Sequence, residues 1–169
     1  MHVSLVGSEM CIRDRFNGAS SFNQDLSFWD VSNVTSMNGM FRYANSFRGD
    51  ISAWDVSNVT LMGNMFEGAS SFNGDISSWD VSNVTNLHKT FLAATSFNQD
   101  LSSWDVSNVT DMYALFYGCG EFTSDLSRWN VTNVTSMHAM FSGASAFNSD
   151  ISLWDCLLYT SPSPRDLRA

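Results

Sequence analysis

The sequence predicts an α/β repeat solenoid in which each 25-residue coil contributes a short parallel β-strand and a short helix. Tryptophan recurs at a constant step of 25 residues, at Trp29, Trp54, Trp79, Trp104, Trp129 and Trp154. Two phenylalanine series keep the same step, one from Phe16 to Phe141 and one from Phe22 to Phe147. Within each repeat, the apolar spacing changes from every second residue to every third or fourth. A fixed step without insertions is what a stack of equivalent coils requires.

The strand is predicted around the tryptophan of each repeat. In the stretch LSSWDVS, Trp104 and Val106 alternate with serine and aspartate. Alternation with period two is typical of a strand that has one buried face. We therefore expect Trp104 and Val106 to face the core, and we expect successive strands to pair in a parallel ladder about 4.8 Å apart.

The helix is predicted to follow the strand. The next apolar residues are spaced three and four apart, at Val109, Met112, Leu115, Phe116 and Cys119. This spacing is typical of a helix with one buried stripe. Gly118 aligns with Gly68 and Gly143 and is predicted to end the helix in the left-handed conformation.

Both ends of the chain differ from the repeats. A DNA that encodes CLLYTSPSPRD from Cys156 also encodes LVGSEMCIRD, the stretch that begins at Leu5, when its complementary strand is translated. One inverted DNA element therefore flanks the repeats and resembles a translated sequencing-library adapter. We predict that 1–15 and 156–169 are adapter-derived and disordered, and that 16–155 is a solenoid fragment of about five and a half repeats from a longer chain.

Charge and cysteine content exclude several classes of function. The chain has 8 Lys and Arg against 17 Asp and Glu, a formal net charge of −9. Such a surface argues against binding nucleic acid or anionic membranes, which require basic residues. No apolar run reaches membrane-spanning length, which leaves open an anchor elsewhere in the parent chain. Only Cys119 lies inside the repeats, so no disulfide framework is predicted.

Three polar rows recur at the same step. Acidic rows comprise a turn series, Asp25, Asp50, Asp75, Asp100, Asp125 and Asp150, and a series beside the tryptophans, Asp30, Asp55, Asp80 and Asp105. We expect backbone amides to bond the turn series, with calcium as the alternative. The third row lies in NVT motifs, at Asn33, Asn58, Asn83, Asn108 and Asn133. We interpret it as an internal hydrogen-bond ladder, with glycosylation as the alternative.

A partner-binding face is predicted on the outward side of the strands. One of its positions varies between repeats while the neighbouring position is mostly aspartate. The predicted face comprises Phe28, Asp30, Ala53, Asp55, Ser78, Asp80, Ser103, Asp105, Arg128 and Asn130. Repeat proteins commonly use such a face for partners, and a solvated face without a ligand is the alternative.

No catalytic, cofactor-binding or metal-binding residue is predicted. His88 and His138 occupy a position where other repeats have Asn38, Gly63 and Tyr113. Cys119 stands where other repeats have alanine, which predicts a buried packing residue. We therefore expect a chain that is not an enzyme and that needs no cofactor.

The repeat SFNQDLSSWDVSNVTDMYALFYGC resembles that of the BspA-like surface proteins and of many mycoplasma lipoproteins, a family of leucine-rich-repeat relatives labelled as a domain of unknown function. The resemblance covers 16–155. It implies a leucine-rich-repeat-like solenoid that is secreted or displayed at the cell surface, with adhesion through protein partners. The alternatives are a structural spacer of a larger surface protein and, more remotely, a carbohydrate- or ice-binding solenoid.

Overall fold

The computed structural model describes residues 3–4 and 12–154. Five complete repeats are numbered coil 1 (26–50), coil 2 (51–75), coil 3 (76–100), coil 4 (101–125) and coil 5 (126–150). Within these described ranges there are two strands, β1 (Val3–Ser4) and β2 (Trp29–Asp30), and they pair in parallel. The described residues contain no helix. The predicted α/β architecture, with a strand and a helix in every coil, is therefore wrong.

The predicted helix is replaced by a series of turns. In coil 4, the amides of Leu115, Tyr117 and Cys119 bond carbonyls three residues earlier, at 3.1–3.2 Å. The intervening amides of Phe116 and Gly118 donate instead to carbonyls of coil 5, at 2.8–2.9 Å. An α-helix uses each amide for the carbonyl four residues earlier in the same segment. In this segment, successive amides donate alternately to a carbonyl of the same turn and to a carbonyl of the next coil.

Left-handed residues also interrupt the helical path, at two positions in each coil. In coil 4 these are Ala114, with φ of 51°, and Gly118, with φ of 73°. The sequence predicts the second position as a glycine helix stop, but Tyr43 and Ala93 adopt the same conformation, with φ of 56° and 57°. Two left-handed residues four positions apart in each coil are incompatible with a continuous right-handed helix over that segment.

The predicted strand around each tryptophan is wrong outside β2. Turns close in 101–104 and 106–109, with amide-to-carbonyl distances of 3.1 and 2.9 Å. Between them, the amide of Ser107 donates to the carboxylate of Asp105 at 3.0 Å. A side chain that accepts a backbone hydrogen bond competes with ladder formation. The predicted burial of Trp104 is nevertheless confirmed, since the side chain is 3% exposed.

Successive coils are joined at residues 25 positions apart. Single parallel bridges link Ser36 to Leu61, Leu61 to Asn86, Asn86 to Asp111, and Asp111 to Ser136. These bridges lie seven positions after the tryptophans. Single parallel bridges therefore connect these coils, in place of the predicted ladder of longer strands.

Stacked aromatic rings fill the core. Phe116 stacks on Phe91 and Phe141 of the adjacent coils, with ring centroids 5.7 and 5.8 Å apart. It also stacks on Phe122 of its own coil at 4.1 Å. Full burial of one phenylalanine contributes about 1.5–3 kcal/mol. The rings thus supply stabilisation that the sparse secondary structure does not.

The predicted boundaries at 16 and 155 stay predictions. Within the predicted adapter segment 1–15, Ile12 is 1% exposed and its amide donates to the carbonyl of Ser36 at 3.1 Å. The segment 156–169 lies outside the described residues. Over 3–4 and 12–154, no helix has the length and apolar character needed to span a bilayer.

Candidate interaction surfaces

The ten residues of the predicted partner-binding face are all exposed. We call this surface the aspartate face. It consists of a variable row (Phe28, Ala53, Ser78, Ser103, Arg128) and an acidic row (Asp30, Asp55, Asp80, Asp105, Asn130). In the variable row, the large apolar side chain of Phe28 is 48% exposed.

Hydrogen bonds hold the acidic row in place. The carboxylate of Asp55 accepts the hydroxyl of Ser57 at 2.6 Å and its amide at 3.1 Å. These two bonds lower the pKa of Asp55, and they outweigh the repulsion from its neighbours in the row, Asp30 and Asp80. Asn130 accepts the amide of Thr132 at 3.2 Å, so an amide side chain maintains the same turn.

The turn series of aspartates is bonded as the sequence predicts. Each of its members accepts the amide of the serine two residues later, at 2.9–3.0 Å. For Asp50, the Ser52 amide and then its hydroxyl lower the pKa. Calcium is therefore not needed to offset the charge of this row. The described residues contain no group of three or more His, Cys, Asp or Glu with the geometry to hold a metal ion.

The predicted asparagine ladder is confirmed in four coils. The Nδ2 atoms of Asn58, Asn83, Asn108 and Asn133 donate to serine carbonyls of the preceding coil, at 2.7–2.8 Å. The asparagine side chains are exposed, but each uses one amide hydrogen to join two coils. Glycosylation of these NVT motifs stays untested.

A second surface lies where the helix was predicted. The rings of His88 and Tyr113 stack at 5.0 Å, and those of Tyr113 and His138 stack at 5.6 Å. Lys89 Nζ lies 5.5 Å from the centroid of the Tyr113 ring. His88 Nδ1 lies 3.3 Å from the carboxylate of Asp111. We call this surface the ring ridge and include in it Tyr117, which is 44% exposed.

Sequence analysis does not predict the ring ridge, although internal variation points to it. Equivalent positions along the ridge have Asn38, Gly63, His88, Tyr113 and His138. The backbone of each coil is nearly the same, so the fold does not require any one of these side chains. A predicted helix separates these residues from the exposed rows, and variation at a single helix position does not by itself indicate a shared surface.

Cys119 is the buried packing residue that the sequence predicts. It is 0% exposed, and its Sγ donates to the carbonyl of Phe91 at 2.9 Å. Burial raises the pKa of its thiol to about 12. A thiol with such a pKa forms very little of the nucleophilic thiolate at neutral pH.

Comparisons with known proteins match one family and seven chains of solved structures. The model of a family described as Mycoplasma protein of unknown function, DUF285, matches residues 10–119 and 69–161. No curated protein matches. Seven chains of solved structures match, among them a crystal structure of a TLR13–ssRNA13 complex. That structure has a TM-score of 0.44 and 16% identity, and the match covers 72% of this chain and 18% of that chain.

Proposed function

This chain belongs to the DUF285 family of Mycoplasma proteins of unknown function, and we propose that it is a non-enzymatic repeat module that binds other proteins through the aspartate face. The observation on which the proposal rests is the variable row beside the acidic row. Its side chains range from Phe28 through Ser103 to Arg128 on nearly the same backbone. Aromatic and arginine side chains are the types that contribute most to protein interfaces.

The acidic row gives the proposed face a preference among partners. The carboxylates of Asp55, Asp80 and Asp105 are fixed by hydrogen bonds from serines, and these bonds lower the pKa of each. A fixed row of negative charges favours encounter with a basic protein surface. A groove of about 440 Å³ between Asp100, Ser103, Asp125 and Arg128 adjoins this face.

The biological setting that we propose is adhesion at the cell surface. Its support is the resemblance of the repeat to BspA-like surface proteins. A structural spacer is the second candidate function, because hydrogen bonds and stacked rings link each coil to the next along the whole array. Such continuity suits a stiff connector as well as a binding surface.

The binding proposal is tested with the full chain against an array of purified extracellular proteins. The face variant combines Phe28→Ser, Asp55→Asn and Asp80→Asn. A matched control, Asp50→Asn with Asp75→Asn, removes the same charge from the turn series. Asparagine preserves the turn at position 130, so both variants are expected to fold, which tryptophan emission verifies.

We expect the face variant to lose at least about tenfold in affinity, and we expect the control to lose little. Equal losses in both variants would point to net charge alone and would reject the face. If the unaltered chain binds no protein of the array while its coils are folded, the spacer function is favoured.

A further inference from the structure

We propose that Asn73 is a site of covalent self-modification, at which the backbone nitrogen of Gly74 closes a succinimide ring that water then opens to aspartate or isoaspartate. The reactants are this chain and water, so the reaction needs no enzyme and no cofactor. The site lies outside the aspartate face and the ring ridge. It is therefore independent of the proposed binding of other proteins.

The reaction first exchanges one amide for another. The Gly74 nitrogen loses its proton to water and attacks Cγ of Asn73. The bond from Cγ to Nδ2 then breaks, and Nδ2 takes up a proton and leaves as ammonia. Water adds to one of the two carbonyls of the ring. Opening at one carbonyl gives aspartate on the original main chain, and opening at the other gives isoaspartate, in which the main chain runs through the former side chain.

Asparagine is followed by glycine at three places in the chain, at 17–18, 38–39 and 73–74. Glycine favours the attack because it has no Cβ atom to shield its nitrogen and because its backbone is less restricted. The fold does not require glycine at position 74, where φ lies outside the left-handed region. Other side chains occupy the equivalent positions, namely Gln24, Gln99, Ser124 and Ser149.

The structure distinguishes the three glycine nitrogens. Gly18 donates its amide hydrogen to the carbonyl of Arg42 at 2.7 Å, and Gly39 donates to that of Gly63 at 2.9 Å. Each nitrogen can attack only after a hydrogen bond between coils has been broken, which adds to the barrier. Within 3–4 and 12–154, the Gly74 amide has no hydrogen-bond acceptor. The Gly74 nitrogen is thus ready for attack without this cost.

Two donors from coil 3 hold the oxygen on which negative charge develops. Asn73 Oδ1 accepts the backbone amide of Asn98 at 2.8 Å and Nε2 of Gln99 at 2.9 Å. Because a backbone amide can only donate, the contact with Asn98 fixes which way the Asn73 side-chain amide faces. Donors aimed at this oxygen stabilise the anionic tetrahedral intermediate that forms when the nitrogen attacks Cγ. The exposed Asn73 also gives water access to the ring.

Equivalent asparagines have the donors without the glycine. Asn98 accepts the Thr123 amide at 2.9 Å, and Asn23 accepts the Arg48 amide at 2.8 Å. Both asparagines are followed by glutamine. Asn73 combines the bonded oxygen with a glycine whose nitrogen is free.

The modification falls between two buried side chains. Phe72 and Ile76 are each 0% exposed. Aspartate at position 73 keeps an acceptor for the Asn98 amide and adds one negative charge. Isoaspartate adds one carbon atom to the main chain, which displaces Phe72 relative to Ile76 in a close-packed core. We therefore expect isoaspartate to destabilise the array more than aspartate does.

Incubation of the full chain at mildly alkaline pH, followed by proteolysis and peptide mass mapping, measures the reaction at each asparagine. Methylation by an isoaspartate-specific carboxyl methyltransferase gives an independent readout. In the folded chain, we expect Asn73 to react at least about tenfold faster than Asn17 and Asn38. In urea, where all three glycine amides are free, we expect the three sites to react at similar rates.

Two variants separate the role of the donor from that of the glycine. Gln99→Met removes the Nε2 donor and keeps the length of the side chain. It is expected to slow the reaction of Asn73 at least about threefold in the folded chain and to leave the rate in urea unchanged. Gly74→Ser introduces the residue of positions 124 and 149 and is expected to slow the reaction in both states. Tryptophan emission verifies that each variant is folded.

Three outcomes would overturn the proposal: equal rates at the three sites in the folded chain, the same preference for Asn73 in urea as in the folded chain, or an unchanged rate in folded Gln99→Met. The first two are measured on the unaltered chain, so they do not depend on the folding of a variant. A chain that binds a partner through the aspartate face and does not react at Asn73 would reject the modification and leave the binding function standing.

Discussion

The indole Nε1 of Trp104 donates a hydrogen bond of 3.1 Å to the backbone carbonyl of Ile76, which lies 28 positions earlier in the preceding coil. The same bond recurs from Trp54, Trp79, Trp129 and Trp154 to the equivalent carbonyl, at 2.9–3.2 Å. Each of these tryptophans therefore fills the core and satisfies a backbone carbonyl of its neighbour.

Trp104→Phe is expected to lower the free energy of unfolding by about 1–3 kcal/mol, because the buried Ile76 carbonyl loses its donor. Trp154→Phe removes the equivalent bond where the donor is only partly buried, and it is the matched control. Urea unfolding followed by tryptophan emission measures both changes. A loss at Trp154 as large as that at Trp104 would contradict the assigned role of burial.

Acid is expected to destabilise the array through its aspartates. In the folded state, serine amides and hydroxyls lower the pKa of Asp50, Asp80 and Asp105 below the ordinary value of 3.8. A lowered folded-state pKa stabilises the fold above the ordinary value, and this contribution is lost as pH falls through the folded-state pKa. The melting temperature should be level from about pH 7 to pH 5 and should fall below about pH 4.

Replacement of Asp55, Asp80 and Asp105 by asparagine is expected to reduce this acid dependence. In the equivalent turn of coil 5, the side-chain oxygen of Asn130 already accepts a hydrogen bond from the Thr132 backbone amide. The variant therefore keeps this hydrogen bond in each turn and has no titrating group there. Thermal melts at neutral and acid pH compare the variant with the unaltered chain. If the acid slope is unchanged, these carboxylates are not its source.

Glycine at a left-handed position is expected to favour the fold. Ala93 adopts φ of 57° where other coils have glycine, so Ala93→Gly should stabilise the chain by up to about 1 kcal/mol. Gly118→Ala should destabilise it by about 1 kcal/mol, through backbone strain alone, since an added Cβ would lie 3.7 Å from the nearest atom. Gly68→Ala should cost more, because its Cβ would clash with the Tyr43 ring. Denaturant midpoints rank the three variants.

Cys119 is expected to resist thiol reagents in the native state. Burial raises the pKa of its thiol to about 12, and the side chain is fully enclosed. The measurement uses the full chain with Cys11→Ser and Cys156→Ser, so that Cys119 is the only thiol. At neutral pH, we expect the thiol to be labelled only after denaturant has unfolded the chain. Rapid labelling of the folded chain would contradict the assigned burial.

The asparagine ladder gives a prediction with an isosteric control. Asn83→Asp replaces the Nδ2 donor, which lies 2.8 Å from the Ser57 carbonyl, with an acceptor. Two acceptors then face each other, so the destabilisation should exceed the ~1 kcal/mol expected when Asn83→Ala only removes the bond. Equal effects of the two substitutions in thermal melts would show that the ladder bond contributes little.

Sequence periodicity predicts which residues are buried better than it predicts how the backbone is bonded. The spacing of Met112, Leu115 and Phe116 is the same for a helix and for the series of turns that the structure has, and all three residues are buried. The helix and the series of turns differ in the backbone angle φ. At Lys89 and Ala114 φ is positive without a glycine to signal it, so local sequence does not reveal the interruption.

Competition between side chain and backbone explains the missing strands in the same way. Asp105 is correctly predicted to point outward, but its carboxylate takes the Ser107 amide that a strand ladder needs. The turn aspartates and the asparagine ladder were predicted because their bonding is local or repeats with the coil. The ring ridge cannot be predicted in this way, because its rings meet between coils along a path of turns that the apolar spacing does not distinguish from a helix.

The spacing of the inter-coil bonds limits how the chain can change length. Coil 4 meets coil 3 and coil 5 through the same ring, Phe116, so loss of a whole coil would bring together surfaces of the same chemistry. Deletion of a single residue would change the 28-residue spacing between a tryptophan and the carbonyl that it bonds, wherever that span contains the deletion. Such an array tolerates duplication and deletion in steps of one complete repeat, and very little in between.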